Sequence, residues 1–150
     1  MAKNKSSSEE IVKALLGHLG IKDPFEIEET DEAVNVVINS DDPGLIIGHH
    51  GDTLDSLQLV LSLMVAKKFG EFKRVNVEVG DYKKNRSDYL RSLALDSKEK
   101  AISERKEIYL PNLKPWERRE VHMHLADDPE VISESIGEGK ERTLVIKQRQ

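Results

Sequence analysis

Residues 44–58 read GLIIGHHGDTLDSLQ, which is a short apolar turn, a loop bracketed by two glycines and the start of a helix. Gly48 and Gly51 allow the backbone to bend and a phosphate to approach without a Cβ in the way. The helix after the loop offers free N–H groups and the positive end of its dipole, which favour an anion. The stretch therefore predicts either a phosphate-binding loop or a helix–helix turn that needs its glycines for the backbone alone.

The chain on both sides of this loop predicts a helix and three strands. Apolar residues alternate with polar ones over residues 25–28, 34–39 and 75–79, which is the pattern of strands that bury one face. Before them, apolar residues recur at helical spacing, and Ser7 with Glu10 fits a capping box. This pattern predicts a first helix over residues 8–19.

The helix after the glycine loop is expected to be central. Its main apolar stripe consists of Leu54, Leu57, Leu61, Met64 and Val65. Leu59, Val60 and Leu63 make the helix apolar on more than one face, which favours this central position. The order helix, strand, strand, glycine loop, helix, strand predicts an α+β unit with helices on one face of a three-stranded sheet.

The second half of the chain predicts another unit of helices on a small sheet. Residues 82–106 form a long amphipathic pattern that carries 8 basic side chains. Residues 108–110 fit a short strand, and Pro115 is well placed as the first residue of a helix that runs to residue 126. Residues 131–135 and 143–147 fit two further strands.

Two side chains of the later helix suit phosphate binding. Arg118 and His122 are four residues apart and therefore share a helix face, and Lys114 lies one turn earlier. An arginine binds a phosphate through two parallel hydrogen bonds, and a histidine adds a third donor. Trp116 offers a surface on which a base can stack. The alternative is an exposed basic helix with a tryptophan that belongs to the core.

Taken together, these motifs resemble the Jag family of bacterial RNA-binding proteins (SpoIIIJ-associated proteins, also called KhpB or EloR) over residues 8–147. The stretch 44–58 is similar to the signature of a type II KH domain, a module that clamps about four nucleotides of a single strand. The second half is similar to the nucleic-acid-binding domain named for its Arg-x-x-x-His motif. The matching positions there are Pro111, Pro115, Glu117, Arg118, Arg119, His122, Glu134, Ser135, Gly137, Glu138 and Gly139.

The resemblance implies an α+β fold: a type II KH domain (α-β-β-α-α-β), then a small α/β domain of helices on a three-stranded sheet. The implied division is a KH domain over residues 8–80, a basic linker helix over 81–106 and an Arg-x-x-x-His domain over 107–150. The residues expected to contact RNA are Gly48, His49, His50, Gly51, Lys114, Arg118 and His122.

The resemblance also implies a cellular setting and partners. It implies a cytoplasmic protein that regulates gene expression after transcription and is linked to cell elongation and division. The implied ligand is single-stranded RNA, with single-stranded DNA as the alternative. The implied protein partner is a small KH-only protein or a second copy of the chain.

Three departures from the family pattern affect these expectations. The family loop usually carries Lys or Arg between its glycines, whereas here His49 and His50 are mostly uncharged at neutral pH and weaken the expected grip. In the family, an Asn often precedes the Pro that starts the helix and can cap it. Here Lys114 occupies that position, so the side-chain cap is absent and a positive charge is present instead. Many relatives carry a further N-terminal module, whereas this sequence starts at the KH unit, so that module's functions are not carried over.

Charge separates the two halves of the chain. The 28 acids and 23 bases give a formal charge of -5. Averaged over the whole chain, this charge argues against a strongly basic nucleic-acid binder. Residues 1–80 hold 8 bases and 14 acids, whereas residues 81–150 hold 15 bases and 14 acids. We therefore expect the electrostatic grip on nucleic acid to lie in the second half, with the KH loop adding backbone contacts and shape.

Composition excludes several other classes of function. The absence of Cys excludes disulfides, thiolate zinc sites and cysteine nucleophiles. No apolar run reaches the ~18–20 residues that span a bilayer. The sequence contains no phosphate-binding Gly-Lys-Ser/Thr motif, no Gly-x-Ser-x-Gly and no His-Glu-x-x-His. We expect no catalysis, no cofactor, no metal and no membrane partner.

An interaction adaptor is the second hypothesis. In it, the KH surface forms a dimer and has lost its affinity for RNA. The uncharged His49–His50 pair favours this, and so does Asp52, which would repel a phosphate unless it caps the following helix.

Overall fold

The computed structural model describes residues 2–150, with side chains from Ser7 onward. The chain divides into two compact units, up to Tyr82 and from Lys83 to Gln150. The elements of the first unit are α1 (Ala2–His18), β1 (Phe25–Glu29), β2 (Ala33–Ile38), α2 (Gly44–Ile47), a 3₁₀ turn (His49–Gly51), α3 (Asp52–Phe69) and β3 (Arg74–Val79). Then follow α4 (Tyr82–Glu104), β4 (Ile108–Leu110), α5 (Pro115–Leu125), β5 (Val131–Ile136), a 3₁₀ turn (Gly139–Glu141) and β6 (Thr143–Gln148).

The sheet of the first unit has the strand order β1-β2-β3. β1 and β2 are antiparallel, with Phe25 opposite Ile38, whereas β2 and β3 are parallel, with Val36 opposite Val77. Alternate residues of β2 and β3 are buried, as the sequence pattern predicts. They pack in one core with α1 and α3, through residues such as Val12 and Leu61. The expected α+β architecture with a three-stranded sheet is confirmed.

The expected start of the first helix is wrong. α1 begins at Ala2, so Ser7 and Glu10 lie inside the helix and form no capping box. Ser8 is buried on the same face as Val12 and Leu16, four and eight residues later, and neither Gly nor Pro interrupts the helix before it.

α3 packs against β3, α1 and α2, but only one of its apolar faces is buried. Leu54, Leu57, Leu61 and Val65 form its buried stripe. The side chains of Leu59, Val60 and Leu63 are 61%, 42% and 62% exposed. One sheet face and α1 cover only one side of this helix, which leaves its other apolar residues at the surface.

The second unit is built on a three-stranded antiparallel sheet in the order β4-β6-β5. Its core joins α4 to α5 and the sheet, through Leu90, Ala94, Ala101, Val121, Leu125, Leu144 and Ile146. The basic helix expected as a linker over 81–106 therefore contributes a buried face to this unit. The predicted strands at 108–110, 131–135 and 143–147 are all present, and α5 starts at Pro115 as expected. Within the described residues, no helix is both long enough and apolar enough to cross a bilayer.

A buried carboxylate fixes the start of α5. The side chain of Glu117 is fully buried, and its Oε1 accepts a hydrogen bond of 2.7 Å from Arg86 Nε on α4. Its Oε2 accepts the backbone N–H of Lys114 at 2.9 Å, which is half of a capping box. Lysine has no side-chain acceptor, so the Lys114 side chain cannot complete the box.

We predict that Glu117→Gln destabilises the second unit by roughly 3–5 kcal/mol, because it removes the buried negative charge that pairs with Arg86. We expect a loss near the lower end of this range because the Arg86 side chain is 12% exposed, so water can solvate its charge in part once the pair is broken. Urea unfolding followed by the fluorescence of Trp116, the single tryptophan of the chain, reports on this unit. The matched control is Glu120→Gln, whose carboxylate is 38% exposed, and it should cost less than about 1 kcal/mol. Equal losses in the two variants would contradict the role given to Glu117.

Candidate nucleic-acid interface

A groove between α5 and the β5 edge of the sheet gathers charged and polar side chains of the second unit. It encloses about 310 Å³. Its lining consists of Pro115, Arg118, Arg119, His122, Ser133, Ser135, Arg142 and Leu144. We call it the Arg118 groove. Two of the residues expected from the sequence, Arg118 and His122, therefore lie together as their helical spacing predicts.

Arg118 is held by the backbone just before its own helix. Its Nη1 donates a hydrogen bond of 2.6 Å to the carbonyl oxygen of Leu113. Because a guanidinium has five N–H donors, this bond fixes the side chain and leaves donors for a ligand. A planar guanidinium fixed in this way suits two parallel hydrogen bonds to a phosphate.

Two serines of β5 position the other donors of the groove. His122 Nδ1 lies 2.6 Å from Ser133 Oγ, and Arg142 Nε donates a hydrogen bond of 3.0 Å to Ser135 Oγ. Ser133 and Ser135 are two residues apart and therefore lie on the same face of the strand. When Ser133 donates to Nδ1, a neutral His122 carries its proton on Nε2 and can donate it to a phosphate oxygen.

Ser133 and Arg142 belong to this site although the sequence did not single them out. The available signal was the pair of serines at alternate positions of β5, followed by an arginine at the start of the next strand. Lys114 directly precedes α5 and does not line the groove. Trp116 is 41% exposed, so its ring is accessible and does not belong to the core.

The glycine loop of the first unit has a backbone that only glycine adopts easily. Gly48 has φ +70° and ψ −172°, and Gly51 has φ +83°. A Cβ on Gly48 would lie 2.1 Å from Thr53 Oγ1, and one on Gly51 would lie 3.0 Å from the hydroxyl of Tyr82. Both glycines are therefore required by the turn itself, whatever the loop binds.

The two histidines of this loop are at the surface. His49 and His50 are both exposed, and their rings meet edge to face with centroids 4.0 Å apart. Gly51 occupies the N-cap of α3, so Asp52 is its first helical residue and not the cap considered from the sequence. Asp52 thus belongs to the helix turn whose N–H groups an anion would approach. In the part of the chain that the structure describes, no three His, Asp or Glu side chains gather as metal ligands.

Two family models match separate parts of the chain. The model of the "KhpA/KhpB, KH domain" family matches residues 8–79, and the model of the domain named for the Arg-x-x-x-His motif matches residues 88–148. The chain joins a KhpA/KhpB-type KH domain to an Arg-x-x-x-His domain. The resemblance to the Jag family is thereby confirmed for both domains, and the Arg118 groove is part of the Arg-x-x-x-His domain.

Curated bacterial relatives match most of the chain. "RNA-binding protein KhpB" of Clostridium symbiosum is 36% identical over 121 residues, which cover 81% of this chain and 54% of the relative. The protein of the same name from Bacillus subtilis is 28% identical over 141 residues, which cover 93% of this chain and 66% of the relative. The protein of the same name from Lactiplantibacillus plantarum is 24% identical over 153 residues, which cover 97% of this chain and 48% of the relative. The chain thus spans about half to two thirds of the relatives it matches.

We predict that Gly48→Ala destabilises the KH domain by roughly 1–3 kcal/mol or more, because its backbone conformation is strained for any other residue and the new Cβ meets Thr53. Hydrogen exchange of the β2 amides measures the loss. The control is Gly17→Ala in α1, where a Cβ meets no atom within 4 Å. It should stabilise the domain by about 0.5–1 kcal/mol. If both variants behaved alike, the loop glycine would not be needed for the turn.

Proposed function

We propose that this chain binds single-stranded RNA, without catalysis, and that the Arg118 groove supplies most of the electrostatic grip. The observation that carries the proposal is the convergence of three donors on one groove. Arg118 is fixed by a backbone carbonyl, and His122 and Arg142 are each held by a serine of β5. Fixed donors lose little side-chain entropy when they bind a phosphate, which favours affinity.

The family relationships support the ligand class. The relatives are named RNA-binding proteins, and KH modules suit single-stranded RNA because its unstacked bases and backbone are accessible. In this proposal Lys114 adds positive charge at the start of α5, and Trp116 stacks on a base. Single-stranded DNA is the competing ligand. From the resemblance to the Jag family, we further propose that the chain acts in a bacterial cytoplasm, in post-transcriptional regulation linked to cell elongation and division.

The KH loop has a secondary part in this proposal. Gly48 and Gly51 let a backbone approach, and His49 and His50 contact it by hydrogen bonds or by stacking. The net charge of -6 over residues 1–80 and the position of Asp52 both oppose a strong grip here. We therefore assign shape and backbone contacts to the KH loop and most of the phosphate binding to the Arg-x-x-x-His domain.

We predict that Arg118→Ala weakens binding of a single-stranded RNA by roughly ten- to a hundredfold, since a hydrogen bond to a charged group contributes about 1.5–3 kcal/mol. It should also reduce the slope of log affinity against log salt by about 1, because one phosphate contact is lost. Fluorescence anisotropy of a labelled RNA over a salt series measures both. The control is Arg74→Ala, an exposed arginine on β3, which should change neither quantity. An unchanged salt slope in Arg118→Ala would contradict the proposed site.

A KH-mediated adaptor is the second candidate function, and one observation favours it. Leu59, Val60 and Leu63 form an exposed apolar surface on α3, of the kind that a second copy or a KH-only protein would cover.

The double variant His49→Asp/His50→Asp separates the two candidates. Both side chains are exposed, and Asp tolerates the left-handed backbone of residue 50. For an RNA-binding loop we predict weaker RNA binding, because two negative charges now face the phosphates. For an adaptor, RNA binding is unchanged, light scattering shows a dimer with or without RNA, and Leu63→Glu converts the dimer to a monomer.

A further inference from the structure

The sheet of the Arg-x-x-x-His domain has an outer face, opposite the helices. Ile108 and Leu110 of β4 pack against the core, and they lie opposite Ile146 and Leu144 of β6. Because strand residues alternate, Tyr109 lies on the opposite face, next to its partner Val145. Tyr109 is 54% exposed, whereas Val145 is 5% exposed and forms the floor beside it. An aromatic ring on an exposed sheet face is a surface on which an unpaired base can stack.

The hydroxyl of Tyr109 has a hydrogen-bond partner two residues away. It donates a hydrogen bond of 2.6 Å to Oε2 of Glu107, two residues earlier on the same face. This hydrogen bond raises the pKa of the Tyr109 phenol, so the side chain is neutral at physiological pH.

A basic pocket lies at one end of this sheet. It encloses about 240 Å³ and is lined by Arg105, Lys106, Glu107, Lys147, Gln148, Arg149 and Gln150. Four of these side chains are basic and one is acidic. Arg149 is anchored, since its Nε donates to the carbonyl oxygens of Asp128 and Val131, both at 3.0 Å. Lys147 pairs with Glu134 at 3.5 Å, an exposed contact that a phosphate can replace at little cost.

β6 connects this pocket to the Arg118 groove. Arg142 lines the groove and directly precedes β6, and Lys147 lines the pocket near the end of the same strand. Five residues of antiparallel strand span about 17 Å. Along the strands, Val145 and its neighbour Tyr109 lie between these two positions, but on the outer face. Ser133 and Ser135 of the groove pair with the core residues Ile146 and Leu144 and therefore face the helices. A nucleic-acid strand that occupies both surfaces has to pass round an edge of the sheet.

We propose that the outer sheet face is a second contact surface for the single-stranded nucleic acid that occupies the Arg118 groove. Tyr109 stacks on a base, and Arg105, Lys106 and Lys147 bind the phosphates beside it. The inference rests on the proposed function, because it extends the path of the same strand. Nucleic acid is the occupant that fits, since the exposed ring is flanked by a pocket whose charged side chains are mostly cationic.

The test uses two labelled RNA probes, a dinucleotide that fills the groove alone and a decanucleotide that also reaches the sheet face. Tyr109→Ala should lower the affinity for the decanucleotide about fivefold or more, because base–aromatic stacking contributes roughly 1–3 kcal/mol per base. The affinity for the dinucleotide should stay unchanged. Tyr109→Phe, which keeps the ring and loses the hydroxyl, should retain most of the affinity. Lys106→Ser combined with Arg105→Ser should lower the salt slope for the decanucleotide only.

The control is Phe72→Ala, which removes an 82% exposed aromatic ring from the KH domain and should leave the affinity of the unmodified chain unchanged. If Tyr109→Ala also binds the decanucleotide as tightly as the unmodified chain, the outer sheet face is not a contact surface and the inference fails. If Arg118→Ala still lowers the affinity for both probes in that case, the proposed function stands. If the unmodified chain binds neither probe, the proposed function fails and the inference fails with it.

Discussion

Glu117 lies fully buried between α4 and α5, and each of its two carboxylate oxygens accepts a hydrogen bond. Arg86 supplies one of them from α4, and the backbone of Lys114 supplies the other from the start of α5. A buried charge is tolerated only with such partners, so this contact fixes where α5 begins and how it rests on α4. The first turn of α5 sets the direction of Arg118 and, one turn on, of His122. In our proposal, the part of the phosphate-binding groove that α5 contributes therefore depends on a residue that does not line the groove.

In our proposal, the two domains bind a single strand by different physical means. The KH loop has a glycine backbone at Gly48 and Gly51, and its exposed side chains are histidines, not lysines or arginines. The Arg-x-x-x-His domain relies on arginines and a histidine that other groups hold in place. The acidic charge of the whole chain hides this difference, because the excess of acids lies in residues 1–80. In our proposal the Arg-x-x-x-His domain supplies the salt-dependent affinity and the KH loop supplies shape.

The local sequence pattern predicted most of the fold, and it predicted that Arg118 and His122 lie together in the groove. Period-two alternation predicted the strands, and Pro115 with its following spacing predicted the helix that pairs Arg118 with His122. Contacts between distant segments were not predictable in this way. Leu59 and Leu63 have the composition of a buried face, and only the packing of the sheet and α1 decides that they are exposed. Ser133 and Arg142 join the groove through the pairing of β5 with β6, and residue spacing along one element does not reveal that contact.

The most direct test of the central claim follows the arginine side chains by NMR while single-stranded RNA is added to the isotopically labelled chain. We expect the Nε–H resonances of Arg118 and Arg142 to shift most, because phosphates bind their guanidinium groups, while Arg74 on β3 stays unchanged. The His122 ring should shift as well, since the same phosphate lies against it. If the resonances of Arg118 and Arg142 did not shift while those of the α3 amides around Leu59 and Leu63 did, the Arg118 groove would not be the RNA-binding site.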